Sequence, residues 1–428
     1  MLFFRQKDDP ALKQAALQAE EDLFFVPYSR RDIIDMCLDQ GKLAGQEKRF
    51  RQLATQLTHL IHFEFHQKIE ALKSAYAPMN ADFRPSPFET GEEAGHVREF
   101  YSLFQHLLEK ANYKAIPEED IQRAFSEDAL FTIRLQVDFN SFSEYHFFYR
   151  GATVKEECLP VFMGLRSKSI SFINYDRVVM YIRWKKTLDS TQKINPEAAG
   201  GTALLKLFQN VPRPDLEMLF PNSRVGMRIM DKLLFGIPAA VTGSIMVLTR
   251  LSTTLFVLGS LLAFWLGLSS QPVEWNKTTM AVIFAGLLTL GTYLWRQFNA
   301  FKNRKLRFLQ TLIRHLYFKN LDNNIGVIHR IADDAEEEEC KEALLGYYFL
   351  LTAERPLTVQ ETAKKIEDWF LNRWGCVVNF DIDDAVDKVL RLGIVRKENG
   401  QLAALSLEEA LSLLQTQWEN LTTSNGLG

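Results

Sequence analysis

Three histidines carry the densest donor chemistry in this chain. His59, His62 and His66 stand within HLIHFEFH, and on a helix they share one face. His62 and His66 also have the i,i+4 spacing that can share a metal ion. A metal-dependent hydrolase is the chemistry such a trio would carry. Glu64 breaks the usual zinc-protease pattern, because it falls off the histidine face and so is not placed as general base. The favoured reading is a structural histidine face laid against the core or a membrane surface, with the metal site as the weaker one.

Acidic residues form a second group. The run Asp333-Asp334-Ala335-Glu336-Glu337-Glu338-Glu339 stands ahead of KEALLGYYFLLT, and acids at a helix start complement the helix dipole. A calcium loop would need alternating ligands and a turn glycine, which this run lacks. Arg213, Asp215 and Glu217 lie in VPRPDLEMLFPNSRVGMR, where Pro214 and Asp215 suit a first helical turn. A headgroup or partner contact is the other reading of that group. Arg150, in FYRG, reads as a turn or ion-pair residue at a strand end, with anion binding as the alternative. The chain has no phosphate-binding glycine loop, nucleophile elbow or Ser/His/Asp motif. No catalytic residue and no cofactor are therefore expected, and a non-enzymatic role is favoured over an enzyme.

The elements that must position these residues fall into four segments. Residues 1–23 are polar and predict a peripheral N-terminal helix, ahead of a soluble α+β domain over 24–230. Ser29 with Asp32 predicts a helix cap, for a helix running to Gly41. Phe50, Leu53, Leu57, Leu60, Ile61, Phe65, Ile69 and Leu72 keep a 3–4 rhythm, predicting a long helix from Gln46 to Ala75. Further helices are predicted through Phe100–Leu108 and from Pro117 to Phe125. From Ala129 the period falls to two. LFTIRLQVDF, EYHFFYRG, ISFINYD, RVVMYIRW and ALLKLFQNV are strand candidates, with antiparallel pairing expected where connections are short.

The third segment, 231–298, is apolar. The runs 251–268 and 279–295, if helical, each rise roughly 25–27 Å, close to the ~30 Å of bilayer hydrocarbon. Between them lies the short polar loop SSQPVEWNKT. Arg224, Arg228 and Lys232 precede the zone, and Arg296, Lys302, Arg304, Lys305 and Arg307 follow it. Cationic loops stay on the cytoplasmic side, so a two-pass hairpin with both termini cytoplasmic is expected. These basic residues are also the candidate contacts to membrane lipid. The segment 233–249 holds Gly236, Pro238 and Gly243 and is short for a span, so it is read as interfacial or re-entrant. Gly259, Ala263 and Gly267, with Ala281, Ala285 and Thr289, repeat small residues at four-residue spacing. Such faces let helices approach closely, either within the hairpin or in a homo-oligomer. Neither run contains Asp, Glu, Lys, Arg or His, which disfavours a transporter or channel.

The fourth segment, 299–428, begins with a juxtamembrane helix bearing a basic face. Thr358 with Glu361 and Ser406 with Glu409 fit the capping box, and Asn399-Gly400 fits a hairpin turn. Helix, helix, β-hairpin, helix is winged-helix order. The would-be recognition helix carries Asp381, Asp383, Asp384 and Asp387, and an acidic face repels phosphate, so no nucleic acid is expected and a protein-contact module is.

Composition sets outer bounds. The 428 residues suffice for two or three domains, and a net charge of −3 gives no global pull towards nucleic acid. The four cysteines are dispersed without a CxxC pair, which argues against a zinc site or disulfide framework. The N-terminus shows neither a signal peptide nor a transit peptide pattern.

FVPYSRRDIIDMCL, HLIHFEFHQKIEALKSAYAPMN, FYRG, LKLFQNVPRPDLEMLFPNSRVGMRIMDKL and IEDWF with FDIDDAVDKVLRLGIV together resemble the transmembrane protein 143 family, whose shared region is a domain of unknown function. The resemblance runs from about Phe24 to Trp418. Its most specific block is VPRPDLEMLFP, containing Pro212, Asp215, Glu217 and Pro221. It implies a membrane protein without an assigned activity, so it carries over no catalytic residue. Animal members are associated with mitochondria. Without a transit peptide the chain is more similar to a bacterial member, in the cytoplasmic membrane. The expected architecture is an α+β membrane protein, with an N-terminal α+β soluble domain, a transmembrane helical hairpin and a C-terminal winged-helix-like domain. Its expected role is a membrane-anchored scaffold or protein-interaction module, with lipid-headgroup binding or lipid handling as the alternative.

Overall fold

A five-stranded antiparallel sheet, in the order Lys114–Ala115, Phe142–Val161, Arg166–Trp184, Ala203–Pro212 and Asn320–Asn323, is the frame on which the N- and C-terminal helices are mounted. The computed structural model describes residues 25–80, 93–121, 134–161, 166–186, 201–222, 224–226, 252–268 and 276–424. It divides into two compact units, one made of Met1–Glu127, Asp138–Leu216 and Lys319–Gly428, the other of Asp128–Val137 and Glu217–Phe318.

In the first unit the sheet strands are β1 (Lys114–Ala115), β3 (Phe142–Val161), β4 (Arg166–Trp184), β5 (Ala203–Pro212) and β7 (Asn320–Asn323). The candidates ISFINYD and RVVMYIRW are one strand, β4, and EYHFFYRG is the first part of the 20-residue β3. Gly151 explains why the ribbon continues where a turn was expected. It takes φ +72° within β3, opposite Asp176 of β4, and a Cβ there would collide with the Asp176 carboxylate. Glycine alone enters that region without steric penalty.

Helices α1 (Arg30–Leu38), α2 (Glu47–Tyr76) and α3 (Glu93–Lys110) precede the sheet. The Ser29 hydroxyl and Asp32 carboxylate form a capping box on α1. On α2, Phe50, Leu53, Leu57, Leu60, Ile61, Phe65 and Leu72 are buried, the face that the 3–4 rhythm marks. The predicted helix Pro117–Phe125 is described only to Ile121, and the peripheral helix over 1–23 lies outside the described residues.

After β7 come α6 (Ile325–Leu351), α7 (Val359–Trp374), α8 (Ile382–Arg391), the hairpin β8 (Val395–Glu398) and β9 (Gln401–Ala404), and α9 (Leu407–Ser424). Both tail capping boxes are present, Thr358 with Glu361 and Ser406 with Glu409. Asn399 and Gly400 turn the hairpin with φ +49° and +79°. Helix α2 packs on α6 and α9, while α7 and α8 pack on α6. One apolar core thus joins Phe50 and Phe65 of α2, Val179 and Tyr181 of β4, Tyr347 and Tyr348 of α6, and Phe370 and Leu414 of the tail. It unites residues that the sequence reading assigned to the two segments 24–230 and 299–428.

The acidic run corrects an expectation. Asp333–Glu339 is not a helix start but the middle of α6, which begins eight residues earlier, directly after Asn324 at a positive φ of +48°. Because the short β7 runs straight into that turn, the helix starts early and carries the acids inward.

The second unit holds the pair β2 (Arg134–Gln136) and β6 (Arg224–Gly226), α4 (Ser252–Trp265) and α5 (Lys277–Lys319). Of LFTIRLQVDF, Arg134–Gln136 is strand and Phe139 opens a 3-10 turn, while its first four residues lie outside the described residues. Among the described residues, one helix is long and apolar enough to cross a membrane, over Lys277–Ala300, and its most apolar stretch is almost entirely unburied. The apolar α4 has 14 residues, rising roughly 21 Å. The expected segment 233–249 lies outside the described residues.

Candidate functional site: a buried charge network on α6

The densest buried chemistry of the first unit centres on the acidic residues of α6. In the β3–β4 register Arg150 stands opposite Arg177, a like-charge pair that a sheet disfavours. Asp334 of α6 resolves it. Its Oδ2 accepts from Arg150 Nη1 at 3.2 Å and from Arg177 Nη1, and Tyr113 donates its hydroxyl to the same oxygen at 3.3 Å. Burial pushes the Tyr113 phenol up to about 12, and the Asp334 charge adds to this, so the hydroxyl keeps its proton and stays a donor.

One turn further along α6, Glu338 takes Arg150 Nη2 at 2.6 Å on Oε1 and the Val26 N–H at 3.2 Å on Oε2. Lys341 spends its three protons on Glu338 Oε1 (2.8 Å), Val26 O (2.6 Å) and Tyr28 O (3.2 Å). The Arg150 guanidinium rests on the Phe25 ring, 4.7 Å from its centroid. The extended entry Phe25–Tyr28 is thereby pinned to α6 through side chains rather than a sheet ladder.

A second branch faces α3 and α8. Glu339, 1% exposed, meets Lys110 at 3.1 Å and also contacts Lys388. Lys110 in turn pairs with Asp384, and Arg391 with Glu64 at 2.8 Å. The Asp384 and Lys388 side chains of the would-be recognition helix therefore face α3 and α6. Glu342 is 5% exposed, and burial, followed by the nearby Glu338, Asp384 and Asp381 charges, raises its pKa well above the usual carboxylate range.

Chemically the network is a compensated charge cluster: each buried ion meets opposite charge or backbone, Glu342 excepted. Removing one partner of such a buried pair costs far more than the intact pair contributes. Its action is to fix which segments of the chain lie together.

The residues singled out from sequence are placed as follows. His59 packs on the Trp418 ring at 5.6 Å, His62 Nδ1 meets Glu336 Oε2 at 2.8 Å, and His66 is exposed. Among the described residues, no three His, Cys, Asp or Glu side chains come together as a metal site. Glu64 meets Arg391 and Lys388 of α8. In the family block, Pro212 ends β5 and opens a 3-10 helix, Arg213–Leu219. Asp215 and Glu217 are buried, and Lys319 reaches Asp215 at 3.4 Å. Pro221 is half-buried in the turn that follows.

Arg296 and Lys302 are exposed on α5, whereas the side chains of Arg224, Arg228, Lys232, Arg304, Lys305 and Arg307 lie outside the described residues. Gly259, Gly267, Ala281 and Ala285 are exposed and Ala263 half-exposed, and a methyl added at Gly259 or Gly267 would meet nothing within 4 Å. Sequence reasoning missed the network itself. The available signal was Lys341, three residues after Glu338 in a run otherwise acidic, and Arg150 as an ion-pair residue.

A family profile described as "Protein of unknown function (DUF3754)" matches residues 175–326. A domain of unknown function thus spans the second half of β4, β5, the family block, the second unit's apolar helices and β7. No solved structure matches the chain.

Proposed function

We propose that the protein is a membrane-anchored, non-enzymatic interaction or scaffold module, built as the transmembrane protein 143 family resemblance implies. Its α4–α5 region forms a two-pass hairpin, and both folded flanks lie on the cytoplasmic face. The observation that carries this reading is α5. From Lys277 to Ala300 it presents Phe284, Leu288, Leu294 and Trp295 to the outside, a length of roughly 36 Å that matches a bilayer with some tilt. Lys302, with Arg304, Lys305 and Arg307 in sequence, then follows, in keeping with a cytoplasmic end.

The winged-helix-like reading of the tail draws support from its order of α7, α8, β8–β9 and α9. Engagement of α8 by Lys110, Glu64 and Glu339 favours a structural use of that helix over nucleic-acid reading. Open space around Gly259 and Gly267 favours helix packing from a second copy. Exposed Arg296 and Lys302 favour anionic headgroups as lipid contacts.

The test is cysteine labelling in intact cells by a membrane-impermeant maleimide. The background carries Cys376→Ser, since Cys376 is the half-exposed native thiol among the described residues. Ser270→Cys should label from outside, while Ser424→Cys should label only after permeabilisation. Labelling of Ser424→Cys in intact cells would overturn the topology and make 233–249 a third crossing.

A further inference from the structure

Past the C-terminal end of α1, where α7 lies beside the last turn of α6, the surface opens into a cleft of about 510 Å³, within the size range of small-molecule sites. Its aromatic lining is Phe349 of α6 and Trp369 of α7, whose rings meet edge to face with centroids 5.4 Å apart. Two of its lining residues, Gln40 and Trp369, hold buried N–H donors, Nε2 and Nε1, that have no partner among the described residues. Native proteins leave few such donors unmet, so these two call for an acceptor.

Charge narrows the ligand. Lys42, Lys365 and Arg373 line the cleft together with one carboxylate, Asp368. Arg373 is already paired with Asp39 of the α1 cap. Neither lysine has an ion-pair partner among the described residues, and both are exposed at the rim. Two free ammonium groups against one carboxylate leave a surplus of a single positive charge.

We propose that this cleft binds an organic monoanion with a planar apolar body, of the aryl carboxylate class. The ring lies against Phe349 and the edge of Trp369, and the carboxylate supplies the acceptor that the Gln40 and Trp369 N–H groups lack while its charge faces Lys42 and Lys365. Apolar floor and charged rim then act on different parts of one ligand, the usual division of labour in a small-molecule site.

The experiment uses the full chain in detergent, with empty micelles as reference, and follows fluorobenzoate and its neutral isostere fluorobenzamide by fluorine NMR. Fluorobenzoate should bind about tenfold more tightly than the amide, the worth of one charge-assisted contact. Lys365→Gln, a rim change that leaves the core untouched, should erase that preference, and Lys397→Gln, far along the chain on the exposed β8, should preserve it. Trp369→Phe, which keeps an aromatic ring but removes the indole donor, should weaken both probes. Equal binding of acid and amide, no binding of either, or a preference that survives Lys365→Gln would overturn the proposal.

Discussion

The guanidinium of Arg150 and the carboxylate of Glu338 meet at 2.6 Å although 188 residues separate them in the chain. The Glu338 side chain is 1% exposed and that of Arg150 10%, so the pair sits where water screens it little. Through it, the middle of β3 is held to the middle of α6, and through Val26 and Lys341 the N-terminal entry is held to the same point.

Arg150→Met should destabilise the protein by about 3 kcal/mol, because Glu338 loses its shortest partner and stays buried. Chemical denaturation of the full chain in detergent measures it. A double-mutant cycle with Glu338→Gln should show a coupling of at least ~1 kcal/mol. Additive effects would mean that the pair is geometrically close but energetically independent.

Glu342 sets a pH dependence of definite sign. Burial raises its folded pKa, whereas in the unfolded chain a glutamate titrates near ~4.3. Between those two values the folded state holds the extra proton, so this group's contribution to stability falls as pH rises through the window. Glu342→Gln keeps the shape and removes the titration. Its gain in midpoint denaturant should therefore be larger near pH 8 than near pH 5, and an equal gain at both would contradict the assignment.

Gly151→Ala combines an unfavourable φ with a collision against Asp176, and should cost about 1–3 kcal/mol. Adding Asp176→Ala removes the collision but not the backbone strain, so a partial rescue is expected in the same denaturation assay. Full rescue would show that the left-handed backbone at Gly151 contributes nothing.

Leu288 stands near the middle of Lys277–Ala300 and is 74% exposed. In the proposed span, Leu288→Arg would place a charge at the bilayer centre, a cost of about 2.5–3.5 kcal/mol on insertion scales. The fraction of protein resisting alkaline carbonate extraction of membranes should drop, while Leu371→Arg, exposed on α7 of the first unit, should leave it unchanged. Equal extraction of the two variants would speak against a span at this helix.

Much of the local structure was legible. The face of α2 followed from its 3–4 spacing, and Ser29, Thr358, Ser406 and Asn399-Gly400 marked element ends because caps and turns are satisfied within a few residues. What failed were inferences about where a segment stops or which way it faces. Asp176 looked like a turn signal between two short strands, yet β4 passes through it, because Gly151 opposite supplies the space. Asp333–Glu339 looked like a helix start whose acids complement the helix dipole. It lies inside α6 because its partners come from β3, β4, α3 and α8, at sequence distances where no periodicity can register.

Sequence alone thus determined the helical and strand rhythms, the caps, the exposed apolar stretch around Leu288 and the lack of a recognisable catalytic motif. Only the tertiary structure decided that Arg150, Arg177, Lys110 and Lys388 converge on α6, that the tail shares a core with α2, and that the three histidines part company, with His59 on Trp418 and His62 on Glu336. The physical reason is range. Periodicity and capping act over a few residues, whereas a buried charge is tolerable only if the rest of the chain brings its counter-charge, and that pairing exists only in the folded state.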